Sequence, residues 1–184
     1  LDGRHSMCHP TIVCRTKLLK QIGGYWQHPI AQDWDMYLKM GEQSKLANLD
    51  EVLLNYRVHN ASLNGQRLAA IRHHQRYAAE CARRRELNLP AIDLAEFSQV
   101  EQQRSWSWQI RERLNEQAMR RYRDGLANIL GDNTLLGYLQ LGMAATFSAS
   151  LTTPRLQRMA QFRRVQFRRV AGASNRSAVS GGAG

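Results

Sequence analysis

Cysteine is scarce in this sequence. The three thiols, Cys8, Cys14 and Cys81, are odd in number and follow no spacing pattern. That does not fit a disulfide-stapled secreted scaffold, and free thiols in a reducing compartment are the simplest account. Lysine is absent after Lys45, so every basic residue of 65–184 is arginine. Residues 155–170 hold six arginines and no acid, and residues 133–154 hold no charge at all. No glycine-rich phosphate loop is visible. No aromatic-basic pattern of a nucleic-acid module is visible either, so nucleic acid is the minor reading of the basic charge.

What is present is unevenly distributed. The net charge is +11 over 184 residues. Residues 1–64 hold 7 basic and 6 acidic residues, or +1, whereas residues 65–184 hold 19 and 9, or +10. Such a break in composition points to two units with different jobs. We divide the chain into 1–64, a basic helical extension at 65–170, and a small, polar tail at 171–184 expected to be disordered. The chain opens on a leucine in mid-pattern and reads as a fragment of a longer protein, whose leader would be unseen.

Local patterning predicts mixed structure in the first part. "HPTIVC" (9–14) reads as a short strand. "RTKLLKQIGGY" reads as a helix with Thr16 as N-cap and Gly23-Gly24 as its stop. "AQDWDMYLKMGEQS" suits a partly buried helix, and "KLANL" and "EVLLNYRVH" read as two strands. In the last of these, Asn55, Arg57 and His59 share the face opposite Leu54, Tyr56 and Val58. The expected fold class is therefore α/β, a short mixed sheet with helices, followed by a mainly α-helical C-terminal region. From residue 65 the pattern is helical, with runs at 65–87 and 94–130 and a turn at 131–133. His73-His74 reads as surface. The charge-free run 133–154 is long enough to span a bilayer, but its polar residues favour a packed or interfacial helix.

Asp33-Trp34-Asp35 is the stretch that carries chemistry. A D-x-D metal clamp needs both carboxylates to project the same way. These two open a helical pattern, where residues i and i+2 do not face each other. Stabilising the first turn of a helix is the commoner role of such carboxylates. A general base is the third possibility.

The ordered set His9-Pro10, Arg15, Gly23-Gly24-Tyr25, Asp33-Trp34-Asp35-Met36 and Tyr56-Arg57-Val58-His59 resembles the C-terminal half of family 2 glycosyltransferases of the GT-A fold. These are bacterial enzymes that build surface polysaccharides. The resemblance covers about residues 5–64. It implies an inverting transfer of sugar from a nucleotide-sugar donor to a glycan or lipid-linked acceptor. Asp33 would be the base, with Gln32, Trp34 and His9 on the acceptor side or in support. Arg57 and His59 would lie near the diphosphate, and His59 near a divalent metal, Mg or Mn, whose other ligands come from a missing N-terminal half. Gln32 stands where the family usually has glutamate, which leaves the base in place and the acceptor open. The nucleotide-binding βαβ unit and strand-end D-x-D of such enzymes are not legible in residues 1–64. The chain alone is therefore expected to be inactive and to bind neither donor nor metal well.

The arginine-rich segment adds a candidate partner, an anionic membrane surface. This implies a cytoplasmic protein, peripheral on the inner face of the cytoplasmic membrane. The alternative from another class is a non-enzymatic basic helical module that binds anionic membrane or nucleic acid.

Overall fold

The computed structural model describes residues 7–49, 51, 53–55 and 67–157. The chain divides into two compact units, residues 1–109 and 110–184.

The first unit begins with a single 3₁₀ turn, His9–Thr11, entered through Pro10. Helix α1 (Thr16–Gln21) follows, with Arg15 rather than Thr16 at its N-cap. Its end is the Gly-Gly stop. Gly23 and Gly24 adopt φ of +83° and +72°, a left-handed backbone that glycine reaches without a Cβ clash. Their amides close on Lys20 O at 3.1 Å and Leu19 O at 2.9 Å, which satisfies carbonyls the helix leaves open.

Helix α2 (Gln32–Gln43) is the most buried element of this unit. One side of it places Met36, Tyr37 and Met40 against Ile22, with Met7, Ile12, Leu18, Leu19 and Leu46 around them. The other side places Trp34 and Leu38 on Ala78 of helix α3 (Leu68–Glu86). The Arg85 guanidinium ties α3 to Glu42 of α2, with nitrogen–oxygen distances of 2.7 and 3.0 Å. Helix α4 (Leu94–Gln102) starts at Asp93, whose carboxylate accepts the Glu96 amide at 2.8 Å. Phe97 of α4 joins Tyr77 and Ile92 in a third apolar cluster.

Helix α5 (Trp106–Leu130) crosses from the first unit into the second. The sequence pattern favoured one helical run over 94–130, but the chain breaks at residues 103–105. In the second unit, α5 turns through Asp132, at φ +70°, into helix α6 (Thr134–Phe147). The two helices cross at Gly125 and Gly137. A Cβ on Gly137 would sit 2.7 Å from the Gly125 carbonyl oxygen, so only glycine permits this approach. Asn128 donates to Gln140 at 2.7 Å beside the crossing. The charge-free run is not one helix. It stops at Ser148 and resumes over 149–157.

The expected α/β class is corrected here, because no strand and no sheet occur among the described residues. Residues 9–11 form the 3₁₀ turn, and 12–15 and 45–49 have no regular structure. Of 51–59, only 51 and 53–55 are described, and none is a strand. Alternation shows only that a segment can be extended. A strand also needs a neighbour to take its amides and carbonyls, and none of these segments has one among the described residues. The proposed tail, 171–184, lies outside the described residues.

Candidate functional site

The entry to α2 is built on an unusual backbone. Ala31, the residue before the helix, has φ +54° and ψ +31°. Non-glycine residues adopt this region seldom and at a cost in strain. Asp33 is the second residue of the helix and half-buried. Its carboxylate accepts the Trp34 amide at 3.0 Å, a first-turn donor that also reaches Ala31 O at 3.1 Å.

The two aspartates part company from there. Asp35 is 2% exposed and pairs with Lys39 Nζ at 2.8 Å, one turn along. Asp33 lies on the side of α2 that meets Tyr37. Burial pushes the Tyr37 phenol above its usual range, and the negative charge of Asp33 adds to that, followed by Tyr25 and Cys8. Tyr37 also draws in the 3₁₀ turn. His9 Nδ1 lies 3.3 Å from the Tyr37 hydroxyl, and the His9 ring meets Tyr25 edge-on at 5.6 Å. Four side chains from three segments thus gather around the start of α2. They are His9, Tyr25, Asp33 and Tyr37.

The other expected site residues fall elsewhere. Gln32 is exposed at the helix start. Trp34 is buried between α2 and α3 with Leu38 and Ala78. Arg57 and His59 lie outside the described residues. Among the described residues, no cluster of three His, Cys, Asp or Glu side chains is placed to hold a metal ion. Asp33 and Asp35 do not converge as a clamp, since one accepts the Trp34 amide and the other pairs with Lys39. The sequence pattern does not single out Tyr37, because His9, the partner of its hydroxyl, lies 28 positions away.

A second polar cluster joins α3 to α4. His73 Nδ1 lies 2.9 Å from Glu101 Oε2, and its Nε2 lies 3.0 Å from Ser98 Oγ. That connectivity matches a Ser–His–acid relay, but its electrostatics do not. Ser98 Oγ donates to Leu94 O at 2.7 Å. Glu101 is held by Arg76 at 2.7 and 2.9 Å. Burial pushes the Glu101 carboxyl up, but Arg76 and then His73 outweigh it and hold it below its usual range. The cluster is an interhelical clamp, and His73, which read as surface, is part of it. Rings continue from His73 through Phe97 and Tyr77 to Trp26 and His28, with centroids 4.5–5.5 Å apart.

Three further arginines of α3 are in ion pairs, two within the helix and one to α2. Arg83 and Arg84 both bind Glu80, and Arg85 binds Glu42. Arg83 leads in drawing the Glu80 carboxyl down to about 2, against the opposing effect of burial. Burial pushes the Cys81 thiol up, which disfavours the reactive thiolate.

The chain matches no family model, no curated protein and no solved structure. Among the described residues no helix is long and apolar enough to cross a membrane.

Proposed function

We propose that the first unit supplies the acceptor side of an inverting sugar-transfer site, with Asp33 as general base. One observation carries the reading. His9 of the His-Pro turn, Tyr25 after the Gly-Gly stop and Asp33 of the Asp-Trp-Asp stretch are far apart in sequence, yet His9 reaches Tyr37, one turn along α2 from Asp33, and meets Tyr25 edge-on. They are three pieces of the ordered motif set that resembles family 2 glycosyltransferases. The reading rests on that motif order and this grouping, and not on a sheet.

The chemistry asked of Asp33 is a single proton transfer. An acceptor hydroxyl attacks the anomeric carbon of the donor sugar. Its oxygen forms the new glycosidic bond, and its proton passes to the Asp33 carboxylate. The bond from the anomeric carbon to the diphosphate oxygen breaks on the opposite face, and the nucleoside diphosphate leaves with the electron pair. The configuration at that carbon is inverted. Tyr25, 46% exposed, offers a ring face against which a sugar can rest. Tyr37 and His9 fix each other beside the base. On this reading the donor is held by a nucleotide-binding half that is not recognisable in residues 1–64. The acceptor is a glycan or lipid-linked, and the protein works at the inner face of the cytoplasmic membrane.

The test is turnover with a panel of nucleotide sugars, using the complete gene product. Asp33→Asn removes the proton acceptor and keeps the side-chain size. A positioned base contributes about 10²–10⁴-fold, so turnover should fall at least about a hundredfold with little change in Tm. Near-normal turnover in the variant would remove Asp33 from the chemistry.

The alternative, a non-enzymatic basic module, draws on the acid-free arginine run 155–170. On α3, by contrast, Arg76, Arg83, Arg84 and Arg85 are all engaged by Glu101, Glu80 and Glu42. Arg76 and Arg85 join two helices, and Arg83 and Arg84 pair with Glu80 within α3.

A further inference from the structure

Helix α6 carries no charged residue, and its apolar residues are spread over all its faces. A helix of that kind is ordinarily covered on every side. Here one face packs. Gly137, Leu141 and Ala144 are buried, and Gly137 and Leu141 meet α5 at Gly125. The opposite face carries Leu135, Leu136, Leu139 and Met143, all exposed, with Leu135 at 76% and Leu139 at 59%. Leu135, Leu139 and Met143 follow one another at four-residue spacing, so they form one continuous stripe. Isolated exposed leucines need no explanation, but a contiguous stripe marks a surface that something covers.

The charge of the surrounding sequence indicates what covers it. No acidic residue follows Asp132, while seven arginines lie between Arg155 and Arg176. A second copy of the chain would carry the same excess of positive charge, +11, and offer it no net opposite charge. A nucleic acid would satisfy the arginines and leave the leucines in water. An anionic lipid surface satisfies both, because it offers an acyl boundary for leucine and phosphate headgroups for arginine. Length decides the orientation. Fourteen residues rise only about 21 Å, against roughly 30 Å of bilayer hydrocarbon. The helix therefore lies in the interface and does not span it.

We propose that the Leu135–Leu136–Leu139–Met143 face of α6 is a membrane-docking surface that lies flat in an anionic bilayer. The proposal does not rest on the sugar-transfer reading, and its test does not use activity.

The test is flotation of the chain with vesicles of phosphatidylcholine alone or with about a third phosphatidylglycerol. The wild type should float with the anionic vesicles, remain behind with the neutral ones, and be released by high salt. Leu135→Gln with Leu139→Gln should weaken anionic binding by roughly tenfold or more, since two exposed apolar anchors are lost. Helix content by circular dichroism should not change. If the double variant loses helix content, Leu135→Gln alone at the most exposed position repeats the measurement, with a smaller loss of the same sign. Equal binding by wild type and variant overturns the proposal, as does failure of the wild type to bind anionic vesicles. A dimer in solution that the double variant dissociates assigns the face to self-association and overturns it too. Tighter binding to RNA than to anionic vesicles does the same.

Discussion

Asp33 and Asp35 stand two residues apart on one helix and meet opposite surroundings. Asp35 is buried and paired with Lys39, whose side chain is 28% exposed. Removing the Asp35 carboxylate strands a cation that still reaches water in part, so the cost lies below that of breaking a fully buried pair. We expect Asp35→Ala to cost about 1–3 kcal/mol in urea unfolding followed by tryptophan fluorescence. All four tryptophans lie in the first unit, so the signal reports on it. Asp33→Asn should stay within about 0.5 kcal/mol of wild type. Equal losses in the two variants would place both carboxylates in the same structural role. The divergence of the pair was legible from residue spacing on a helix. The partners of Tyr37 and His73 were not, because each bonds to residues 25 to 28 positions away.

The crossing of α5 and α6 depends on two glycines. A Cβ on Gly137 would lie 2.5 Å from Ile129 Cγ1 and 2.7 Å from the Gly125 carbonyl oxygen. The side chain can turn aside, but the carbonyl is fixed in its helix. Alanine is the better helix former by about 1 kcal/mol, yet forcing an atom into a packed contact costs about 1–3 kcal/mol. Gly137→Ala should therefore lower the Tm of the second unit. Gly142 on the same helix has nothing within 4 Å of its would-be Cβ. There the propensity gain stands alone, and Gly142→Ala should stabilise by about 0.5–1 kcal/mol. Thermal unfolding by circular dichroism compares the two, and a stabilising Gly137→Ala would refute the close-crossing account. The end of α1 was readable because the groups that make it are adjacent. Gly23-Gly24 stops α1 with bonds reaching back five residues at most. Strands were misread because alternation is local and strand pairing is not.

Acid should act on the first unit through its carboxylates. Glu80 is drawn to about 2 from an ordinary 4.5, and Glu101 is also lowered, since Arg76 and His73 overcome its burial. A carboxyl that is more acidic when folded stabilises the fold above its unfolded value, and that contribution fades as pH falls through the folded one. The loss from Glu80 should therefore run from about pH 4.5 down to about pH 2. The net charge of +11 grows further as carboxylates protonate, and self-repulsion acts in the same direction. We expect the urea midpoint to fall between about pH 4.5 and about pH 2, and Glu101→Gln to reduce part of that pH dependence while lowering stability at the upper pH. A midpoint independent of pH over this range would mean that the α3 and α4 ion pairs contribute nothing to the fold.

The sequence by itself determined the local features of this protein. They include the helix stop at Gly23-Gly24, the helix that begins with the Asp-Trp-Asp stretch, the divergence of its two carboxylates and the crowding of arginine after residue 64. Each depends on backbone sterics, side-chain spacing or charge within a few residues. The tertiary structure decided what depends on remote partners. It left the expected strands unpaired among the described residues, brought His9 to Tyr37 and Tyr25 to His9, engaged His73 in a clamp, and chose which side of α6 faces α5. The physical reason is the same in each case. Pairing and burial are settled by whichever distant groups arrive, and alternation or composition in one segment carries no information about them.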